Sequence, residues 1–206
     1  MQKLTSKTDL NLPFLSFNPD NGTKITILDF NDKTNIDIVF LIERFLEENF
    51  SLFTSRILSR KNLLIQELSL RQNLTFFREI EDLSKESILN IQDIFKKHLN
   101  QHRGDFDEEV WEAFGLLLYL SGNYEIFYVG DTIGQVLNGK YKSLFINILN
   151  NEFNKKNIIF KAHPPPAIEL YKQFTDSFLI YQNNTLSHKM LYDDALREVI
   201  TYNNKK

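Results

Sequence analysis

Two side chains with catalytic chemistry follow apolar segments in the second half of the chain. Asp131 comes directly after the run 126–130, and His163 comes directly after the run 157–162. Carboxylates and imidazoles are groups that enzymes use to move protons and to activate water. In α/β folds, ligands bind just past the carboxyl ends of parallel strands. We therefore expect Asp131 and His163 to lie together at one edge of a sheet.

The segment between these two residues contains the helix that such an arrangement requires. Residues 140–153 have helical spacing, and the apolar runs on either side have the length of buried strands. Strands joined by helices through short connections form mostly parallel sheets. A further apolar run, Ser177–Tyr181, ends in a turn at Gln182-Asn183-Asn184. The second half of the chain is therefore predicted to be an α/β sheet.

The first half of the chain supplies the remaining elements of this pattern. A strand is predicted at 24–28 after the turn signal Asn21-Gly22, and a helix is predicted at 36–50. Short strands are predicted at 53–58 and 63–65, and helices at 68–77 and 106–120. Another helix is predicted to be capped by Ser84, with an apolar stripe made of Ile88, Ile91, Phe95 and Leu99. The last helix is predicted to be capped by Asp193. We interpret residues 1–206 as a single domain with a helical insert at about 68–120.

Composition excludes several classes of function. A net charge of −3 and a pI of about 5.8 give no electrostatic case for nucleic-acid binding. The chain has no Cys, so disulfides and thiol catalysis are excluded, and no apolar run approaches the roughly 20 residues of a membrane span. The N-terminus lacks an apolar signal segment. His98 and His102 have a metal-binding spacing, but Gly104 indicates that the helix ends there, so we expect no metal site.

Three local matches, in this order of elements, resemble the nucleotide-binding domain of ABC transporters. The segment Leu68–Phe77 (LSLRQNLTFF) is similar to the family's Leu-Thr-Val-Arg-Glu-Asn-Leu-x-Phe, which follows its Q-loop. The run 158–163 is similar to the final core strand with its switch-loop His, and 178–186 is similar to the late hairpin. The resemblance covers about 20–202. It implies a P-loop-NTPase-like, mostly parallel α/β sheet with flanking helices and a small helical insert.

The turn after the first strand departs from the phosphate-binding pattern of this family. That pattern is G-x-x-x-x-G-K-[ST], in which backbone N–H groups and the Lys hold the phosphates. Residues 29–37 contain no Gly, and Asn35 stands where the Lys belongs. Without Gly the backbone cannot form the phosphate nest at low cost, and three Asp side chains in the turn would repel phosphate. The resemblance therefore implies a degenerate loop with no bound cofactor, made of Asp29, Asn31, Lys33, Thr34 and Asn35.

The other catalytic motifs of the family are also altered. Gly130 stands where the family has a Mg²⁺-binding Asp, and Asp131 stands where it has a Glu that positions water. The segment 106–110 occupies the place of the signature loop Leu-Ser-Gly-Gly-Gln, and the Q-loop Gln maps near Lys61. Only His163 and Asp131 remain, as relics. The resemblance therefore implies a pseudo-ATPase without a metal ion.

A sugar-transfer enzyme is an alternative hypothesis. Lys161-Ala162-His163-Pro164 resembles the Lys-x-His-Pro motif of bacterial sialyltransferases and related GT-B glycosyltransferases. In those enzymes the His-Pro lies at a strand end and contacts the nucleotide of the sugar donor. They also need a second Rossmann-like lobe, for which 206 residues leave little room.

The resemblance also implies a membrane partner. In the family, a surface near the Q-loop and the helical insert receives the permease, and here it maps to about 58–77. The chain would then be a peripheral subunit of a hetero-oligomer on the inner face of a membrane, on the mitochondrial matrix side or in a bacterial cytoplasm. Its size is similar to that of the haem exporter's ATP-binding subunit in cytochrome c maturation. The alternative that the chain is a helper subunit of another organellar membrane complex stays open. The predicted partner-contacting residues are Lys61, Leu63, Leu64, Ile65, Phe76 and Phe77.

Overall fold

A mostly parallel sheet forms the centre of the structure. The computed structural model describes residues 22–30, 38, 42, 55–58, 64–81, 83–130, 133–162, 168–183 and 185–204, and within these ranges the sheet has six strands in the order β2-β3-β4-β1-β5-β6. The first five strands run parallel, and β6 pairs antiparallel with β5. The strands are β1 Lys24–Asp29, β2 Ser55–Leu58, β3 Ile126–Val129, β4 Asn157–Ala162, β5 Ser177–Gln182 and β6 Thr185–Leu186.

The first strand lies in the interior of this sheet. β1 pairs with β4 on one side and with β5 on the other, and all six of its residues are buried. Burial on both faces is typical of parallel strands covered by helices. It places the polar residues Lys24, Thr26 and Asp29 in the interior together with Ile25, Ile27 and Leu28. The predicted strand at 24–28 is confirmed and extends by one residue, to Asp29.

Helices cover the sheet. In the described ranges they are α1 Leu70–Glu81, α2 Lys85–Ile94, α3 Glu108–Leu120, α4 Ile133–Asn138, α5 Lys142–Asn151, α6 Ile168–Tyr171 and α7 Tyr192–Asn203. α3 is buried from Val110 to Leu120, as its apolar sequence predicts. Ile38 and Ile42 are also helical and buried. None of the helices in these ranges has the length and apolarity needed to cross a lipid bilayer.

The boundaries of several elements differ from the sequence prediction. Ser84 caps α2 as expected, because its Oγ accepts a hydrogen bond from the N–H of Ser87 at 3.1 Å. The predicted cap at Asp193 is wrong, because α7 starts after Leu191 and Asp193 lies in its first turn. The predicted strand at 63–65 is also wrong where it is described: Leu64 lies in a bend, and the backbone of Ile65 bonds to a helix side chain instead of a neighbouring strand.

That helix side chain is the amide of Asn73, which is fully buried and joins α1 to the turn before it. Its Oδ1 accepts a hydrogen bond from the N–H of Ile65 at 2.8 Å. Its Nδ2 lies 3.0 Å from the Ile65 carbonyl, 3.2 Å from that of Leu68 and 3.1 Å from that of Ser69. One side chain thus satisfies backbone groups of a segment that has no ladder partner.

Two turns require backbone with a positive φ. Gly22 has a φ of 64°, and a Cβ there would collide with the backbone of Asn154 and Lys155. Asn183 has a φ of 52° in the hairpin between β5 and β6, and Asn tolerates this region better than most residues. The turn signals at these positions are therefore explained by local backbone geometry.

We expect Asn73→Ala to destabilise the protein by about 2–4 kcal/mol, because buried backbone groups of the preceding turn lose their partner. The free energy of unfolding in urea measures this effect. Asn151→Ala is the matched control, since Asn151 is exposed and its amide nitrogen donates to the carbonyl and the side-chain oxygen of Asn147, in its own helix. That control should change stability by less than about 0.5 kcal/mol. Equal effects for the two variants would contradict the role assigned to Asn73.

Candidate functional site

The carboxyl ends of the parallel strands meet at one edge of the sheet, which is where ligands bind in folds of this kind. Asp29 ends β1, and β3 and β4 end side by side, with Val129 opposite Phe160. The relic residues that follow these two strands, Asp131 and His163, lie outside the described residues. So do four members of the predicted degenerate loop: Asn31, Lys33, Thr34 and Asn35. The site is therefore built here from the strand ends themselves.

An ion pair lies at the carboxyl end of β1. The Nζ of Lys161 is 3.4 Å from Oδ2 of Asp29, and the two side chains are 15% and 11% exposed. The pairing register places Lys161 beside Ile27, and Ile27 and Asp29 point to the same face of the strand. Lys161 therefore reaches along the strand direction to Asp29. Asp29, which the resemblance aligns with the first Gly of the phosphate-binding pattern, is thus paired with a cation.

The residue after β1 has both backbone groups bonded within the protein. The N–H of Phe30 donates to the carbonyl of Tyr181 at 2.9 Å and continues the pairing of β1 with β5. The hydroxyl of Tyr202 donates to the Phe30 carbonyl at 3.0 Å, and the two rings stack with centroids 4.4 Å apart. In a phosphate-binding loop, backbone N–H groups point at the ligand. The N–H of Phe30 points at β5 instead.

Residues 106–110, which the resemblance aligns with the signature loop, span the N-cap Asp107 and the first residues of α3. They are bound within the same chain. Glu108 forms an ion pair with Arg103, whose guanidinium also lies over the ring of Trp111. Asp107 pairs with Lys140 at 3.2 Å, and this hydrogen bond raises the pKa of Lys140. These two ion pairs offset part of the negative charge of the segment.

Glu109 fixes the same segment to the turn that precedes α5. Its Oε1 accepts a hydrogen bond from the N–H of Tyr141 at 2.8 Å. A Cβ on Gly139 would collide with the Glu109 carboxyl group, so the turn leaves room for this contact only because residue 139 is Gly. The pairing was not predictable from sequence, because the two segments are far apart along the chain and neither carries a motif.

The predicted partner-contacting residues separate into core and surface. The prediction of a surface position is wrong for Leu64 and Phe77, because their side chains are only 5% and 7% exposed and lie in the hydrophobic core. Leu64 packs towards Gly115 of α3, and Phe77 lies on the face of α1 that is turned to the core. Ile65 is partly buried, and its backbone is bonded to Asn73. Lys61 and Leu63 lie outside the described residues.

An apolar pair remains exposed on the other face of α1. Phe76 is 40% exposed and Ile80 is 58% exposed, and their spacing of four residues places them on neighbouring turns. Sequence reasoning included Phe76 but missed Ile80, although helical periodicity would have placed both on one face. Among the described residues of the predicted partner segment, Phe76 is the large apolar residue that is exposed, and Ile80 lies beyond the segment on the same face of α1.

Metal and sugar-transfer chemistry gain no support from the described side chains. In the part of the chain that the structure describes, no group of three or more His, Asp or Glu side chains is arranged to hold a metal ion. Its strands form one sheet, whereas the sugar-transferase hypothesis requires two Rossmann-like lobes. His98 does not follow a helical metal-binding pattern, because α2 ends at Ile94, and its Nδ1 lies 2.6 Å from Oε1 of Gln101.

Comparison with known proteins relates the fold to one type of structure. No protein-family model and no curated protein matches the sequence. Among solved structures, an ATP-binding subunit of an ABC transporter is similar over 87% of this chain and 82% of its own, with a TM-score of 0.63 and 15% sequence identity. Identity at this level establishes the fold alone. The expected α/β, P-loop-NTPase-like architecture with a mostly parallel sheet and flanking helices is thereby confirmed.

Proposed function

We propose that this chain is a catalytically inactive, ABC-type nucleotide-binding subunit. It serves as a structural or coupling component that docks on an integral membrane protein, as part of a hetero-oligomer. The similarity to an ATP-binding subunit of an ABC transporter supports the transporter association. The loss of hydrolysis is argued from the carboxyl edge of the sheet.

The observation that supports the proposal most directly is how the charged and backbone groups at the carboxyl end of β1 are bonded. Asp29 stands at the position of the first Gly of the phosphate-binding pattern and is paired with Lys161. The N–H of Phe30 is bonded to Tyr181 and does not point at a ligand position. The segment 31–37 also contains no Gly. Without Gly, a backbone conformation that points several N–H groups at one phosphate is energetically costly. A nucleotide phosphate would meet the carboxylate of Asp29 at a position where the pattern requires a residue without a side chain.

The proposal also changes how the subunit associates. In the resembling family, two domains close on ATP, and the signature segment of one contacts the nucleotide of the other. Here the corresponding segment is bound to its own chain through Arg103, Lys140 and Tyr141. A nucleotide-driven pair of identical copies therefore has no free signature segment to use. Association with a different protein follows, and the exposed pair Phe76 and Ile80 on α1 is the surface that we assign to it.

The location of the complex follows from the same proposal. A subunit that docks on a membrane protein is peripheral on the inner face of the membrane, on the mitochondrial matrix side or in a bacterial cytoplasm. A role beside the haem exporter in cytochrome c maturation is supported by the similar length of its ATP-binding subunit. Co-purification of the tagged chain with a haem-export permease from the native host tests this assignment.

We expect no saturable binding of Mg·ATP, because the glycines and the Lys of the phosphate-binding loop are missing. Isothermal titration calorimetry should show a dissociation constant weaker than about 1 mM, which corresponds to less than about 4 kcal/mol of binding free energy. A phosphate-release assay run in parallel should show no turnover. Micromolar affinity for Mg·ATP would overturn the proposal, because it would require a phosphate site of another construction.

We expect the double substitution Phe76→Glu and Ile80→Glu to release the protein from membranes of its native host. Two charges on this face of α1 oppose burial against an apolar partner surface. The fraction of protein that sediments with the membranes measures the effect. The melting temperature should change little, since both side chains are exposed in the isolated chain.

Leu89→Glu is the matched control for this experiment. Leu89 is 54% exposed on α2, so it tests a similar loss of exposed apolar surface outside the proposed contact. Membrane association should survive this change. If the double variant stays folded and sediments as the wild type does, docking involves another surface.

A further inference from the structure

A groove lies between α7 and the hairpin segment that ends the sheet. It contains two cavities of about 400 and 330 Å³, and both are lined by His188, Met190 and Glu198. Cavities of this size are large enough to hold a small ligand or the side chains of a peptide. The groove shares no residue with the exposed pair Phe76 and Ile80 on α1, so it is a second surface of the molecule.

The strand that borders this groove, β6, is the last of the described strands on its side of the sheet. The N–H of Ser187 donates to the carbonyl of Ile180 at 2.8 Å. The carbonyl of Tyr181 instead accepts a hydrogen bond from Phe30, on the side of β1. Bonded and non-bonded pairs alternate along an antiparallel ladder, so Tyr181 and Leu186 form a non-bonded pair. The N–H and the carbonyl of Leu186 therefore point away from β5, toward the place that a further strand would occupy.

This open edge is short. Tyr181 faces Leu186, but Phe178 exchanges both backbone hydrogen bonds with Met190, so the outer segment has one residue more than β5 over this stretch. The extra residue makes a β-bulge, which limits how far a further strand can continue along the edge. A segment that pairs with β6 therefore forms few main-chain hydrogen bonds, and its side chains must supply much of the affinity.

The charges that line the groove indicate which side chain such a segment carries. Asp194 and Glu198 lie on one face of α7, because they are four residues apart. Asp194 is paired with Arg197, whose Nη2 lies 3.4 Å from its Oδ1, and Lys189 is attracted by the carboxylate of Asp176. The carboxylate of Glu198 has no ion pair or hydrogen bond within the part of the chain that the structure describes. The complement of this carboxylate is a basic side chain.

We propose that this groove binds an extended segment of a partner protein that contains a Lys or Arg. The segment pairs as a further strand on β6, where the N–H and the carbonyl of Leu186 bond its main chain. Its alternate side chains enter the cavities, since residues two apart share one face of a strand, and its cation lies beside Glu198. The inference goes beyond the proposed function and does not require it, because it uses neither the phosphate-binding loop nor the α1 surface.

The probe is the peptide fluorescein-Thr-Val-Arg-Val-Thr-amide, and the same peptide with Glu in place of Arg is its control. Fluorescence anisotropy at low salt should show that the wild type binds the Arg peptide at least about fivefold more tightly than the Glu peptide. Glu198→Gln should reduce this ratio to less than about twofold, because the charge that distinguishes the peptides is gone. Equal binding of the two peptides by the wild type would overturn the proposal and leave the proposed function untouched.

Asp193→Asn is the matched control variant. It changes the net charge by the same amount at an exposed position of α7 that does not line the groove, so the preference for Arg should persist. If Asp193→Asn and Glu198→Gln lose the preference equally, the attraction is non-specific and the proposal is wrong.

Strand pairing is tested by removing main-chain donors. Leu186→Pro lacks the outward N–H, and Pro is tolerated on an edge strand at such a position, so the variant should fold and bind the Arg peptide more weakly. Leu186→Ala, which keeps the N–H, should bind better than Leu186→Pro. Equal binding by these two variants would contradict pairing through this N–H.

Methylated peptides make the same test without changing the protein. N-methyl groups on one alternate set of amides of the Arg peptide should abolish binding, whereas methylation of the other set should not, because only one set faces β6. Equal effects of the two sets would exclude strand pairing and overturn the proposal. Sedimentation velocity adds a last outcome: if the wild type forms a dimer that Leu186→Pro dissociates, the occupant is a second copy of this chain and the proposal of a basic partner segment is wrong.

Discussion

The interior position of β1 in the sheet determines the polar contacts that this strand makes. A strand that is buried along its whole length and paired on both sides must satisfy its polar groups through residues of other elements. At its beginning, the N–H of Lys24 donates to Asp176 at 2.6 Å, and burial lowers the pKa of the Lys24 amine. In its middle, the hydroxyls of Thr26 and Thr175 lie 2.7 Å apart. At its end, Asp29 requires a cation, which β4 supplies.

Sequence periodicity was sufficient to predict the longer elements that bury apolar residues, but not the short helices α4 and α6. The helix from Glu108 to Leu120 and the strands of the second half follow directly from their apolar runs, because burial of such runs dominates their free energy. The cap at Ser84 follows from local chemistry. The error at Asp193 has a different cause: a helix start depends on where the preceding chain can bend, and here Met190 is held in an extended bridge with Phe178.

The candidate site was less predictable, because its contacts join segments that are distant along the chain. The missing glycines were visible in the sequence, and so was Asp29. Its pairing with Lys161 was not visible, because it depends on the register of β1 against β4. The contact of the Glu109 carboxyl group with Gly139 and Tyr141 depends in the same way on how closely α3 approaches the turn before α5. Such contacts carry no periodic signal, and only the tertiary structure reveals them.

The strand order also has a consequence for synthesis of the chain. Lys24 and Asp176, which bond β1 to the turn before β5, are 152 positions apart. A ribosome that adds about 5–20 residues per second needs about 8–30 s to make the intervening chain. For most of that time β1 has been made with both edges open; its partner β4 is complete only at Ala162, and its partner β5 only after Asp176. Contacts of such long range also slow folding once the chain is finished. In the nascent protein, β1 therefore stays without its sheet partners for longer than a first strand that pairs with the second.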